Sequence, residues 1–167
     1  MSVVGIDVGF TATGIVHIKS KNEIDSWHIV RTAPLKNKKS VAINDAKRCE
    51  TLAIGIAKII IKCKPKYAFL ELPTGGAQGA RPHRCMGMST AITISVLRML
   101  KVKYYVVTPR DVKNIVGKKG SVSKLDVQEV VTKKFVWKTL PKRKADFEHV
   151  ADAAGAVFSV MKKRGIV

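Results

Sequence analysis

Three acidic residues stand where an acid is hardest to accommodate. Asp7 lies inside VVGIDVG, Glu71 inside YAFLELP and Asp152 inside HVADAAGAVF. An isolated carboxylate is expensive to take out of water, so such a group is normally paired, protonated or bound to a metal. In a chain with 31 Lys and Arg residues, an ion pair would explain any one of them. Three acids at the ends of three separate apolar segments ask for more. They require a fold that gathers those ends around one site.

The pattern between the acids says what kind of fold that is. Residues 3–8 read as a buried strand ending near Asp7. Residues 9–13 form a turn, 14–19 a second strand, and 24–30 a third, more polar one. This opening is an antiparallel meander. A basic loop around Lys36, Lys38 and Lys39 leads to a helix over 44–62, with Leu52, Ile56, Ile59 and Ile60 on one face. Pro65 punctuates its end. Residues 67–72 form a short apolar strand carrying Glu71, and 73–84 read as a Gly/Pro-rich loop. A helix over 89–100, a strand over 104–107 and a short helix over 109–116 follow. A basic glycine loop at 117–120 precedes a helix capped by Ser123 and running through Phe135. The last helix spans 146–163. A meander followed by alternating helices and strands predicts an α/β fold with a mixed five-stranded sheet flanked by helices. No repeat, low-complexity tract or long linker divides the chain, so residues 1–167 read as a single domain.

The last helix explains how the acids could meet. Phe147, Val150, Ala151, Ala154, Val157, Phe158 and Met161 form its core stripe. Ala151, Ala153, Ala154, Gly155 and Ala156 allow close approach to a sheet. His149 and Asp152, spaced i and i+3, project to one side. If these segments meet, three carboxylates and an imidazole converge. Hard divalent cations take oxygen ligands, and Mg²⁺ keeps some of its water. Two such ions ~3.5–4 Å apart can activate water and stabilise the leaving oxygen of a phosphodiester. His149 would be a ligand or a general base; otherwise it is a helix-surface histidine beside Glu148.

Composition narrows the partner. The 31 basic residues face 12 acidic ones, a net charge of +19. So one-sided a balance repels itself in a compact state, and neutralising a polyanion is its usual use, since each phosphate contact releases a counterion. No transmembrane segment is expected: the apolar run at 52–61 is too short, and Lys58 and Lys62 interrupt or flank it. No signal peptide is visible at the N-terminus. The odd set Cys49, Cys63 and Cys85 has no C-x-x-C pairing, which suits a reducing compartment. A zinc site from Cys85 and His83 would lack a second ligand pair.

Four segments together resemble the RuvC-like Holliday junction resolvase family. GIDVGFTATGIVHI resembles its opening motif, AFLELP the segment carrying its glutamate, TPRDVKNIVGKKGSVSKLDVQEVV its basic motif and HVADAAGAVFSV its final helix. They span nearly the whole chain in the right order. The resemblance implies an RNase H-like fold, a homodimer, and a pair of Mg²⁺ ions, with Mn²⁺ as a substitute, held by Asp7, Glu71, His149 and Asp152. It implies that Lys113 and Lys124 contact the scissile region or offset charge there. Arg81, Arg84, Arg110, Lys113, Lys118, Lys119 and Lys124 are the DNA-binding candidates. Four-way junctions are the expected substrate, and the cytoplasm of a bacterium or of a virus-infected cell the expected location.

The match departs from the family pattern in three places. His149-x-x-Asp152 stands where Asp-x-x-Asp is frequent, which bears on metal preference and pH profile. Val8 stands where proline is common. The segment PTGGAQGARPHRCMG has no aromatic to stack at the junction centre, a contact worth ~1–3 kcal/mol per base; Arg81, His83 and Arg84 could contact phosphates instead. Other readings are a nuclease with the same site acting on forks, flaps or RNA–DNA hybrids, and a basic binding protein without catalysis. The second leaves Asp7, Glu71 and Asp152 without a purpose. A sugar-kinase or actin-like ATPase shares an opening like GIDVG but needs two domains and a second phosphate loop.

Overall fold

The computed structural model describes residues 2–20, 22–34, 40–72, 79–118 and 120–163. The elements are β1 (Val3–Asp7), β2 (Ala12–Ser20), β3 (Glu23–Arg31), α1 (Val41–Cys63), β4 (Tyr67–Glu71), α2 (Ala80–Met99), β5 (Lys103–Val107), α3 (Pro109–Lys113), α4 (Lys124–Lys134), β6 (Val136–Trp137) and α5 (Lys144–Lys163). The strands form one mixed sheet in the order β5-β4-β1-β2-β3-β6. The meander β1-β2-β3 is antiparallel, while β4 joins β1 and β5 joins β4 in parallel.

Alternation of side chains across the strands splits the interior into two cores. Val3 of β1, Val16 of β2 and Phe69 of β4 pack under α3, α4 and α5. Val4 and Ile6, Ile15, and Ala68 and Leu70 face the other way, under Leu52, Ile56 and Ile60 of α1 and Leu97 of α2. The central strands are therefore apolar on both faces, as strands covered by helices must be.

The structure corrects the sequence expectation in three places. Among the described residues the sheet has six strands, not five. Phe135 leaves the helical conformation (φ −112°, ψ 139°), so α4 stops at Lys134. Val136 and Trp137 then pair with Glu23 and Ile24 of β3. The stretch expected to be loop up to Arg84 turns helical at Ala80. Arg81-Pro82-His83-Arg84 reads as a breaker, yet a proline in the first helical turn lacks only an N–H that has no partner there anyway. Helix α1 also starts earlier than expected, at Val41, where the Ser40 side chain accepts from the Ile43 amide. The basic loop at Lys36, Lys38 and Lys39 lies outside the described residues.

Two glycines let α5 lie on the sheet. A Cβ on Gly5 would stand 2.0 Å from the Ala153 carbonyl oxygen, and one on Gly14 would stand 2.5 Å from that of His149. A side chain at either position would lift the helix away from the strands that carry the acids. A glycine inside a strand often marks such a backbone approach.

Candidate active site

Asp7 ends β1 and Glu71 ends β4, and the two are register partners in the parallel pair. Their side chains therefore leave the sheet on the same face, the one that carries Gly5 and α5. Helix α5 brings His149 and Asp152 to that edge. His149 donates from Nδ1 to Oδ2 of Asp7 at 2.7 Å. All four expected ligand residues are thus gathered from three separate elements.

The electrostatics are those of a crowded acid cluster. Burial, followed by the charges of Asp152 and Asp7, pushes Glu71 up to about 8, although Lys124 and Lys113 pull the other way. Burial and then Asp7 push Asp152 up to about 6. The hydrogen bond to Asp7 raises His149 against the opposing effect of burial. Glu71 Oε2 is buried with no hydrogen-bond partner. The side chains converge without closing a cage: among the described residues no three His, Cys, Asp or Glu side chains stand in ion-holding geometry. The donor set still fits a hard divalent cation. Three carboxylates and one imidazole supply suitable ligands, the unpartnered Glu71 oxygen lacks a counterpart, and a cation would relieve the repulsion that displaces Glu71 and Asp152.

Two lysines complete the site. A cleft of about 250 Å³ is lined by Glu71 and Asp152 together with Lys113 and Lys124. Lys113 closes α3 and Lys124 opens α4, and a capping box fixes the start of each helix, at Thr108 with Asp111 and at Ser123 with Asp126. A lysine in the first turn of a helix opposes the macrodipole, so Lys124 is not placed for the good of α4. Its Nζ lies 3.7 Å from Glu148 Oε2, a neighbour that the sequence pattern does not reveal. A second cleft, of about 350 Å³, shares Lys113 and adds Arg110, Asn114 and Lys118. The neighbouring Lys119 lies outside the described residues.

Arg81 and Arg84 are not part of this cluster. They stand on α2, on the opposite face of the sheet, paired with Asp45 of α1. His83 has its Nδ1 2.9 Å from the Gly79 carbonyl oxygen. Cys85 packs into the core beneath α1 and α2, which gives the pair no metal-binding arrangement.

Fold and site together define an RNase H-like α/β domain with a carboxylate cluster at the end of its central strands. Comparison with solved structures narrows the fold to the RuvC type. T. thermophilus RuvC in complex with Holliday junction substrate matches with a TM-score of 0.78 at 19% identity, over 99% of this chain and 96% of that one. Thermus thermophilus RuvC by itself matches at 0.73 and 18%, over 99% and 97%. The yeast mitochondrial Holliday junction resolvase matches at 0.70 and 14%, over 98% and 78%. No family model and no curated protein matches the sequence.

Proposed function

We propose that the protein is a metal-dependent endonuclease that resolves Holliday junctions by symmetric nicks. One observation carries this reading: Asp7, Glu71, Asp152 and His149 meet beside Lys113 and Lys124. The fold that holds them is like that of a protein solved with a junction bound. The net charge of +19 supplies the affinity for a polyanion.

Asp7, Glu71, Asp152 and His149 would hold Mg²⁺ or Mn²⁺, two ions in the full site. Such ions activate a water and steady the leaving oxygen when bound. The chain's own residues set up the rest. Asp7 orients His149 through Nδ1 and leaves the Nε2 lone pair available as a ligand or for a proton. Lys113 and Lys124 face the same cleft and offset the negative charge that builds on the phosphate as the bond breaks. Arg110 and Lys118 extend the basic surface along the flanking backbone. Residues 1–167 act as one nuclease domain, and two copies related by a two-fold axis would meet two strands related by the same symmetry. Among the described residues no helix is long and apolar enough to cross a membrane, and the cytoplasm of a bacterium or of a virus-infected cell is the proposed setting.

A labelled four-way junction, a fork and a plain duplex, each with Mg²⁺, Mn²⁺ or EDTA, test the proposal alongside Asp7→Asn. Paired metal-dependent nicks in the junction, lost in the variant, are the expected result. Cuts spread over forks and flaps would indicate a broader debranching nuclease, a reading favoured by the missing aromatic in PTGGAQGARPHRCMG. Binding without cleavage in any metal would overturn the enzymatic reading.

A further inference from the structure

The chain holds a second charged cluster, on the face of the sheet away from the acids. Asp45 of α1 is buried, with its side chain only 4% exposed. Its Oδ1 lies 3.4 Å from Arg81 Nη2 and its Oδ2 lies 2.5 Å from Arg84 Nη2. Arg48, one helical turn further along α1, is buried as well. It stacks over Phe10 at 4.3 Å and donates to the hydroxyls of Thr32 and Thr11 at 3.0 and 3.1 Å.

Arg48 fixes where this cluster sits. Phe10 and Thr11 belong to the turn that follows Asp7. The arginines are therefore anchored next to the same edge of the sheet as the acids, with the sheet between them. A strand threading the acid cluster and crossing that edge would bring a flanking phosphate over Arg81 and Arg84.

A simple staple between α1 and α2 would need one arginine on Asp45. Two arginines on one carboxylate bring like charges together, and Arg48 adds a third cation. Each of the pair gives a single terminal nitrogen to Asp45. Both side chains are 52% exposed, and among the described residues the contacts to Asp45 use one of the five N–H donors of each guanidinium. The excess charge and the exposed guanidinium edges match a phosphate, which arginine binds in a two-pronged fashion.

We propose that Asp45 is a positioning residue that holds Arg81 and Arg84 as a paired clamp for a DNA phosphate flanking the scissile one. This inference rests on the reading of the protein as a binder of branched DNA. It has a consequence opposite in sign to simple electrostatics. Removing an acid from a protein that binds a polyanion should tighten binding; removing Asp45 should weaken it, because the arginines lose their fixed geometry.

The test is binding of a fluorescent four-way junction in EDTA across a KCl series, with melting curves of every variant. Asp45→Asn is expected to weaken binding about three- to tenfold. The triple variant Asp45→Asn/Arg81→Gln/Arg84→Gln removes the buried carboxylate together with the two arginines that pair with it. It should make the dependence of log K on log salt shallower by about one, since the single clamped phosphate contributes ~0.9. A folded Asp45→Asn that binds as well as or better than the parent overturns the inference. If Asp45→Asn does not fold, the triple variant decides: an unchanged salt slope reduces the cluster to a staple. A parent protein that binds no junction at all would instead count against the proposed function. A parent that binds and cuts while these variants bind unchanged counts against the clamp alone.

Discussion

Replacing Glu71 with glutamine should make the metal-free protein more stable while destroying its activity. In the unfolded chain this carboxyl ionises near 4.5; in the fold it is pushed to about 8. The native state therefore binds the proton more tightly than the unfolded state between those values, and stability falls as pH rises through that window. Each pH unit of displacement corresponds to ~1.4 kcal/mol. At pH 7 the unfolded carboxyl is ionised and the folded one is still mostly protonated, so Glu71 lowers stability by ~3 kcal/mol. The deficit should shrink to ~1 kcal/mol at pH 5 and grow to ~5 kcal/mol at pH 9. Glutamine keeps the shape and carries no charge, so Glu71→Gln should recover these amounts. For a domain of this length each kcal/mol moves the melting temperature by ~2–4 °C, giving a rise of ~6–12 °C at pH 7. Melting curves in EDTA at pH 5, 7 and 9, parent against variant, measure it. A variant equally or less stable at all three values, or a gain that does not grow with pH, would refute the claim that Glu71 is held in a repulsive pocket awaiting a cation.

Four further outcomes follow from the same geometry. Mg²⁺ or Mn²⁺ should raise the melting temperature of the parent, by ~2.7 kcal/mol in stability at a hundredfold excess over Kd, and do so far less for Asp152→Asn; equal shifts in both would place the ion elsewhere. Asp7→Asn should move the His149 titration, followed by NMR, to lower pH, because the hydrogen bond to Asp7 is the main influence raising it. The Asp7–His149 pair stabilises the fold fully below the ordinary histidine value of 6.5, and that contribution fades as pH rises through the higher folded value, so the variant should lose most stability in acid. Gly5→Ala should cost ~1–3 kcal/mol by overpacking and suppress cleavage, because the new methyl would meet the Ala153 carbonyl of the helix that carries Asp152; a melting curve and a nicking assay read both. Lys113→Ala or Lys124→Ala should slow cleavage more than it weakens binding; an equal loss on any duplex would make these lysines ordinary phosphate contacts.

Much of the architecture was legible in the sequence because it follows from local rules. Short strand-like runs over 3–8, 14–19 and 67–72, and helical spacing at Leu52, Ile56 and Ile60, depend only on neighbours along the chain. The layered packing follows from those patterns, and the acids stood out because they interrupt apolar surroundings. His149 and Asp152 share a helix, so their spacing alone puts them on one side. The start of α2 was missed because Pro82 looks like a breaker until its place in the first turn is known. Strand β6 was missed because two residues carry no periodic signal.

What the local pattern could not decide is who meets whom across long separations. That Asp7 pairs with Glu71, rather than with a residue one step away, is a matter of strand register; a slip of one would turn one of the acids to the opposite face. Gly5 and Gly14 read as weak strand residues until α5 is laid across them. Asp45 stands in line with Leu52 and Ile56 on α1, and it becomes a charge-paired anchor only when α2 brings Arg81 and Arg84 over it. The sequence by itself determined the elements, their apolar faces and the residues out of place among them, because those depend on chemistry within a few positions. Only the tertiary structure decided the register, the close approach of α5 and the charge partners, because they depend on packing between segments that the chain itself keeps far apart.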